Sequence, residues 1–188
     1  MTLTTIDPTS ALVVIDLQKG IVSAHTGPTV TAAVSQATRL ATAFRRHGLP
    51  VILVNVTGRA QGRTEAGSAG GMTTLPPGWA DLIDELDVQP TDHLVTKRRR
   101  SAFHDTGLDT LLRDLGATQI VLAGIATSSG VESTARSASD FGYHVVLATD
   151  AMSDPDADAH RHSVERIFPK LGETASTAEV IDMVVATR

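Results

Sequence analysis

Five short runs, apolar at nearly every position rather than at alternate ones, recur along the chain at residues 12–16, 51–56, 93–96, 119–123 and 144–149. Continuous apolar runs of this length are strands covered on both faces, and longer amphipathic stretches between them supply the covering helices. Between the first two runs, Val30, Ala33, Val34, Ala37, Leu40, Ala41 and Phe44 recur at steps of three and four, which predicts a helix ending at His47-Gly48. Further helices are expected over residues 79–86, 108–115, 131–141, 157–167 and 177–186, with Gly116 and Gly142 as two of the stops. The pattern predicts an α/β fold: a three-layer α/β/α, doubly wound, mostly parallel sheet in a single domain over residues 1–188.

Composition narrows the chemistry. There is no cysteine, which removes disulfides, thiolate metal sites and cysteine nucleophiles together. The net charge of −5 argues against a general binder of phosphate backbones. The basic tetrad Lys97-Arg98-Arg99-Arg100 lacks interleaved aromatic residues, so no nucleic-acid partner is expected. The first ten residues carry Asp7 and no Lys or Arg, and the longest apolar run, 120–126, is far short of the roughly 20 residues of a membrane helix. A cytoplasmic protein without a membrane partner is expected.

In an open α/β sheet, ligands bind outside the carboxyl ends of the strands, so polar residues that close apolar runs are the first candidates. Asp16 closes the first run and is followed by Leu17-Gln18; Lys97 closes the third; residues 124–130 join the fourth to a helix. Taken singly, each is equally an ordinary strand end or helix cap. The glycine-rich stretch 57–78 reads as a long loop over a site. Within it, Arg59 and Arg63 suit bidentate clamping of a carboxylate, or are simply solvated. Asp154, Asp156, Asp158 and Glu165 match the carboxylate spacing of a calcium loop, but Ala159 stands where the sharp turn needs glycine and Pro155 is foreign to the pattern. The better reading is a loop entering a helix with an acidic first turn, and His160 and His162, two apart, do not share a helix face for joint ligation.

Four ordered segments carry a wider likeness: residues 11–18 (ALVVIDLQ); Lys97 with Ser101-Ala102-Phe103 and 108–116; 124–127 (GIAT) running into 130–134 (GVEST); and 142–151. Together they resemble the isochorismatase-like hydrolases, a superfamily that includes isochorismatases, nicotinamidases and related amide hydrolases. The resemblance implies a site built on Asp16, Lys97 and Gly130, the last standing where the amide hydrolases carry the attacking cysteine. It also implies a cis peptide at Ile125-Ala126, with the amides of Ala126 and Gly130 facing the substrate. Substrate-binding roles are expected for Ile125, Ala126, Gln18, Phe103, Arg59 and Arg63. The metal-binding Asp-x-His element of nicotinamidases is replaced by Asn55-Val56-Thr57, so neither metal nor other cofactor is expected. A homo-oligomer, dimer or tetramer, is what the resemblance implies.

Glycine supplies no nucleophile, so a covalent route through position 130 is excluded. The glycine-bearing isochorismatase branch hydrolyses a vinyl ether instead. Protonation of the terminal methylene carbon makes an oxocarbenium ion that water captures, with Asp16 as general acid. Burial raises the pKa of Asp16 and a neighbouring Lys97 lowers it; Lys97 turned toward a substrate carboxylate would ease that conflict, and this is the expected arrangement. Two other readings stay open: hydrolysis of a small amide or carbonyl compound by water that Asp16 activates, and a binding protein without chemistry. Ser128 and Ser129 are poor substitute nucleophiles, because no histidine is placed in sequence to activate them.

Overall fold

Every residue of β1 (Ser10–Ile15) is buried, and this strand lies inside a six-stranded sheet whose order is β3-β2-β1-β4-β5-β6, with every pairing parallel. The other strands are β2 (Val51–Val56), β3 (His93–Lys97), β4 (Gln119–Ile125), β5 (His144–Ser153) and β6 (Glu173–Ala175). The helices are α1 (Lys19–Val22), α2 (Pro28–Arg46), α3 (Leu108–Asp114), α4 (Glu132–Asp140), α5 (Ala157–His162) and α6 (Thr177–Ala186). The structure is a computed structural model and describes residues 3–58, 65 and 75–187.

The two-residue period of a strand separates the core into two layers. Leu12 and Val14 of β1 pack with Val34, Ala37, Leu40 and Phe44 of α2 and Val180 and Val184 of α6. Val13 and Ile15 face the opposite side, with Leu108 and Leu112 of α3, Val131, and Ala135 and Ala138 of α4. Among the described residues no helix is long and apolar enough to cross a membrane.

The chain runs from β1 outward to β3, then returns to the other side of β1 for β4. The order therefore reverses between β1 and β4, and the crevice beyond their carboxyl ends is where such a sheet leaves room for a ligand. Asp16 and Ala126, the first residues past those two strands, stand at this crevice.

The sequence reading and the structure differ in several elements. The helix expected over 79–86 is reduced to one 3-10 turn, Asp84–Leu86. Its backbone pairs instead with the chain after β1: the Lys19 and Gly20 amides donate to Asp81 O and Trp79 O, and the Ile83 amide donates to Leu17 O. The helix expected over 157–167 ends at His162 and continues as a wider π-helical turn, Ser163–Ile167, and the one expected over 131–141 starts at Glu132. The strand β6 has no apolar run to announce it; it exists because Glu173–Ala175 pairs with the edge of β5.

Candidate active site

The turn that follows β1 redirects Asp16. Its amide still donates to Val54 O of β2 at 2.9 Å, but φ of 54° places it in the left-handed region, which Asp enters more readily than most residues. Lys97 lies two strands away on β3, about 10 Å at the spacing of a sheet. Strand alternation puts it on the side of Val95, toward α3 and α4, and its long side chain crosses the end of β2. Its Nζ reaches Asp16 Oδ2 at 2.7 Å and also donates to Arg99 O at 3.2 Å. Both residues are buried, Asp16 4% and Lys97 2% exposed.

This pairing corrects the expected arrangement, in which Lys97 faced a substrate carboxylate. Two charges buried this deeply are stable only when each compensates the other. Burial still dominates for Asp16: loss of hydration pushes its carboxyl up to about 6, against the charge and hydrogen bond of Lys97, which pull it down. Among the described residues Asp16 Oδ1 has no hydrogen-bond partner. Lys97 is donor-only and occupies Oδ2, so when Asp16 is protonated the proton sits on Oδ1.

Gly130 completes the group. It lies in a π-helical turn, Thr127–Val131, in which the Val131 amide donates to Ala126 O, five residues back. A Cβ at Gly130 would stand 3.1 Å from Asp16 Oδ2, 3.6 Å from Lys97 Nζ and 3.0 Å from Ile15 Cγ2. The three residues named from sequence are thus brought to one point. The peptide between Ile125 and Ala126 is cis, as the resemblance implies, and Ala126 is the residue at which the π-helical turn begins.

Other expected site residues are placed differently. The Gln18 amide is committed to backbone: Nε2 donates to Val56 O and Trp79 O, and Oε1 accepts from the Val56 amide. Fully buried, Gln18 ties β2 to the 79–82 segment rather than presenting its amide to a ligand. Phe103 packs against Phe141 and Tyr143, with ring centroids 5.2 and 5.9 Å apart, in the core layer of α3 and α4. Ile125 is buried in the α2 layer. Arg59 and Arg63 lie outside the described residues.

The acidic cluster after β5 forms the loop and acidic first helical turn expected of it, against its calcium-loop spacing. Asp154 Oδ2 accepts from the Ser128 amide and hydroxyl, Asp156 caps α5 through the Asp158 and Ala159 amides, and Asp158 pairs with Arg161. Among the described residues no group of three or more His, Asp or Glu side chains is arranged to hold a metal ion. A histidine does approach the 127–131 turn, which the sequence does not reveal: His160 Nδ1 is 2.8 Å from Thr127 Oγ1. Thr134, which closes the 130–134 segment and has no role assigned to it from sequence, donates its hydroxyl to Gly130 O and accepts from the Ala102 amide. The one available signal was the spacing of four between Gly130 and Thr134, one helical turn.

Comparison with known proteins identifies the family to which this fold belongs. The family model described as Isochorismatase domain matches residues 10–179. The chain is 41% identical over 180 residues to the uncharacterized isochorismatase family protein YwoC of Bacillus subtilis, covering 93% of this chain and 94% of that one. Its structure matches that of an isochorismatase family protein from Burkholderia thailandensis with a TM-score of 0.90 and 41% identity, over 96% and 98% of the two chains. It also matches N-carbamoylsarcosine amidase from Thermoplasma acidophilum with a TM-score of 0.75 and 26% identity, over 90% and 96%. Sequence, fold and comparison converge, and the chain belongs to the isochorismatase family of hydrolases.

Proposed function

We propose that this hydrolase works without a covalent intermediate on a small carboxylated substrate, a vinyl ether of the isochorismate type, with Asp16 as general acid. The observation that carries the reading is Gly130 beside the Asp16–Lys97 pair: where a side chain would carry a nucleophile there is none, while the adjacent carboxyl titrates at about 6, close enough to neutral pH to carry a proton.

The protonated Asp16 delivers the proton of Oδ1 to the terminal methylene carbon of the vinyl ether. The C=C π electrons form the new C–H bond, and the ether carbon becomes an oxocarbenium ion. Lys97, held at Oδ2, stabilises the carboxylate left behind. Water adds to the cation and returns a proton to Asp16; the hemiketal then breaks its C–O bond, releasing pyruvate and the alcohol. The amides of Ala126 and Gly130 are the proposed donors to the polar end of the substrate. Because Lys97 is paired with Asp16, the substrate carboxylate needs another cation, a role proposed for Arg59 and Arg63 on sequence grounds.

Purified protein incubated with isochorismate should release pyruvate, and Asp16→Asn should not; equal release by the two proteins would overturn the reading. With Asp16 as acid, kcat/KM falls as pH rises through about 6. A second reading, attack of an Asp16-activated water on a small amide, is favoured by the ionised state that a value of about 6 gives Asp16 at pH 7. It predicts the opposite limb, a rate that rises through about 6, together with release of ammonia from amides.

A further inference from the structure

Lys97 reaches Asp16 from a strand two positions away, so something must hold the chain after β3 against the β4 turn. The candidate is a hydroxyl. Thr134 of α4 is fully buried, and its Oγ1 lies 3.0 Å from the Ala102 amide and 2.7 Å from Gly130 O. An amide can only donate and a carbonyl can only accept, so the direction is determined: Ala102 N–H donates to Thr134 Oγ1, and Thr134 O–H donates to Gly130 O. A bond from a helical Thr to the carbonyl four residues back is common by itself. The bond from Ala102, 32 residues away in sequence, is not a local habit of helices, and it joins the segment after Lys97 to the turn that holds Gly130.

About one helical turn along α4 the same segment is held again. Ser101 Oγ donates to Ser137 Oγ at 2.8 Å, and Ser137 Oγ donates to Ser133 O at 3.2 Å. Between the strand and these contacts lies Arg99, whose carbonyl accepts from Lys97 Nζ. The ammonium that pairs with Asp16 is thus bonded to a backbone segment whose far end is gripped by α4.

We infer that Thr134, with Ser137 in support, is a positioning residue of the active site: its hydroxyl sets the Lys97 segment and the Gly130 turn at one separation and so holds the Lys97 ammonium on Asp16. The inference rests on Asp16 and Lys97 being the reacting pair. Its test reads the pair directly and not turnover, so it can fail while the pyruvate assay succeeds, and the reverse.

The test is a pH titration of the Asp16 carboxyl carbon by NMR in aspartate-labelled protein, with the resonance assigned by its loss in Asp16→Asn. Lys97 Nζ lies 2.7 Å from Asp16 Oδ2, and its charge and hydrogen bond lower the Asp16 midpoint, so a loosened Lys97 lets the midpoint rise. In Thr134→Val, which keeps the shape and removes the hydroxyl, the midpoint should rise by about 0.5 or more. In Thr134→Ser, which keeps the hydroxyl, it should stay at the wild-type value. An unchanged midpoint in Thr134→Val, or an equal rise in both variants, overturns the inference, the second because it would make the methyl group responsible. If Thr134→Val does not fold, Ser137→Ala decides: a smaller rise in the same direction supports the inference and an unchanged midpoint overturns it.

Discussion

Asp16 joins a left-handed backbone position, a buried carboxyl and a buried lysine in one residue. Its folded value of about 6 lies above its ordinary value of 3.8, so between about pH 4 and pH 6 the folded protein binds a proton that the unfolded chain does not. Stability from this group is therefore present below pH 4, is lost as pH rises through about 6, and is absent above it. Two pKa units correspond to about 3 kcal/mol. Denaturant unfolding of wild type and Asp16→Asn should show the wild-type advantage shrinking by about that much from pH 4 to pH 7. The other carboxylates titrate in both proteins, so a difference that does not change with pH would contradict the assignment.

Gly130 makes a complementary prediction. Its Cβ position is 3.6 Å from Lys97 Nζ and 3.1 Å from Asp16 Oδ2, so a thiol added by Gly130→Cys would have an ammonium to stabilise its thiolate. The Asp16 carboxylate, closer still, opposes that charge, so the rate of alkylation by iodoacetamide at pH 7 reads the balance: adding Lys97→Met to Gly130→Cys should slow it and adding Asp16→Asn should speed it, and a rate indifferent to both would contradict the geometry. Residue 130 is tightly bounded by Ile15 Cγ2 at 3.0 Å, so a lower melting temperature should accompany the new reactivity.

At the scale of elements, the segment 79–86 carries a helical apolar pattern but pairs with the chain beside the site. Gln18 and Asn55 hold it through Trp79 O and Ala80 O, and Lys19 adds an ion pair to Asp84 at 2.9 Å. Helix propensity is a weak preference, and tertiary pairing of this kind overrides it. The Trp79 indole covers Gly20 so closely that a Cβ there would fall 2.0 Å from Trp79 Cδ1. Gly20→Ala must therefore displace the ring. Since Trp79 is the single tryptophan, its emission should shift to the red and its quenching by acrylamide should increase; an unchanged spectrum would show that the ring does not pack there.

At the scale of the molecule, the sheet positions the site and the two core layers hold the sheet. Phe44 of α2 is completely buried in the layer beneath α2 and α6, and Phe44→Ala should remove about 3–5 kcal/mol of stability. For a chain of this size that lowers the melting temperature by roughly 10 °C. The Asp16–Lys97 pair proposed to be catalytic lies on the opposite side of β1, so the pH dependence of kcat/KM should keep its midpoint in Phe44→Ala while the melting temperature falls.

The five apolar runs, the 3.6-residue stripe of α2 and the motif residues Asp16, Lys97 and Gly130 are local properties, and the sequence by itself determined them: a strand buried on both faces must be apolar throughout, and a site at strand ends must place its polar residues there. What only the tertiary structure decided is how distant segments meet. Lys97 turned to Asp16 rather than outward because β3 and β1 end side by side across β2 and each buried charge needs the other. Gln18 became a brace, Phe103 a core residue and Thr134 a bridge because their partners lie far along the chain, at Trp79, Phe141 and Ala102. Hydrogen bonds and ion pairs between residues far apart in sequence leave no periodic trace, so they emerge only when the sheet order brings those residues together.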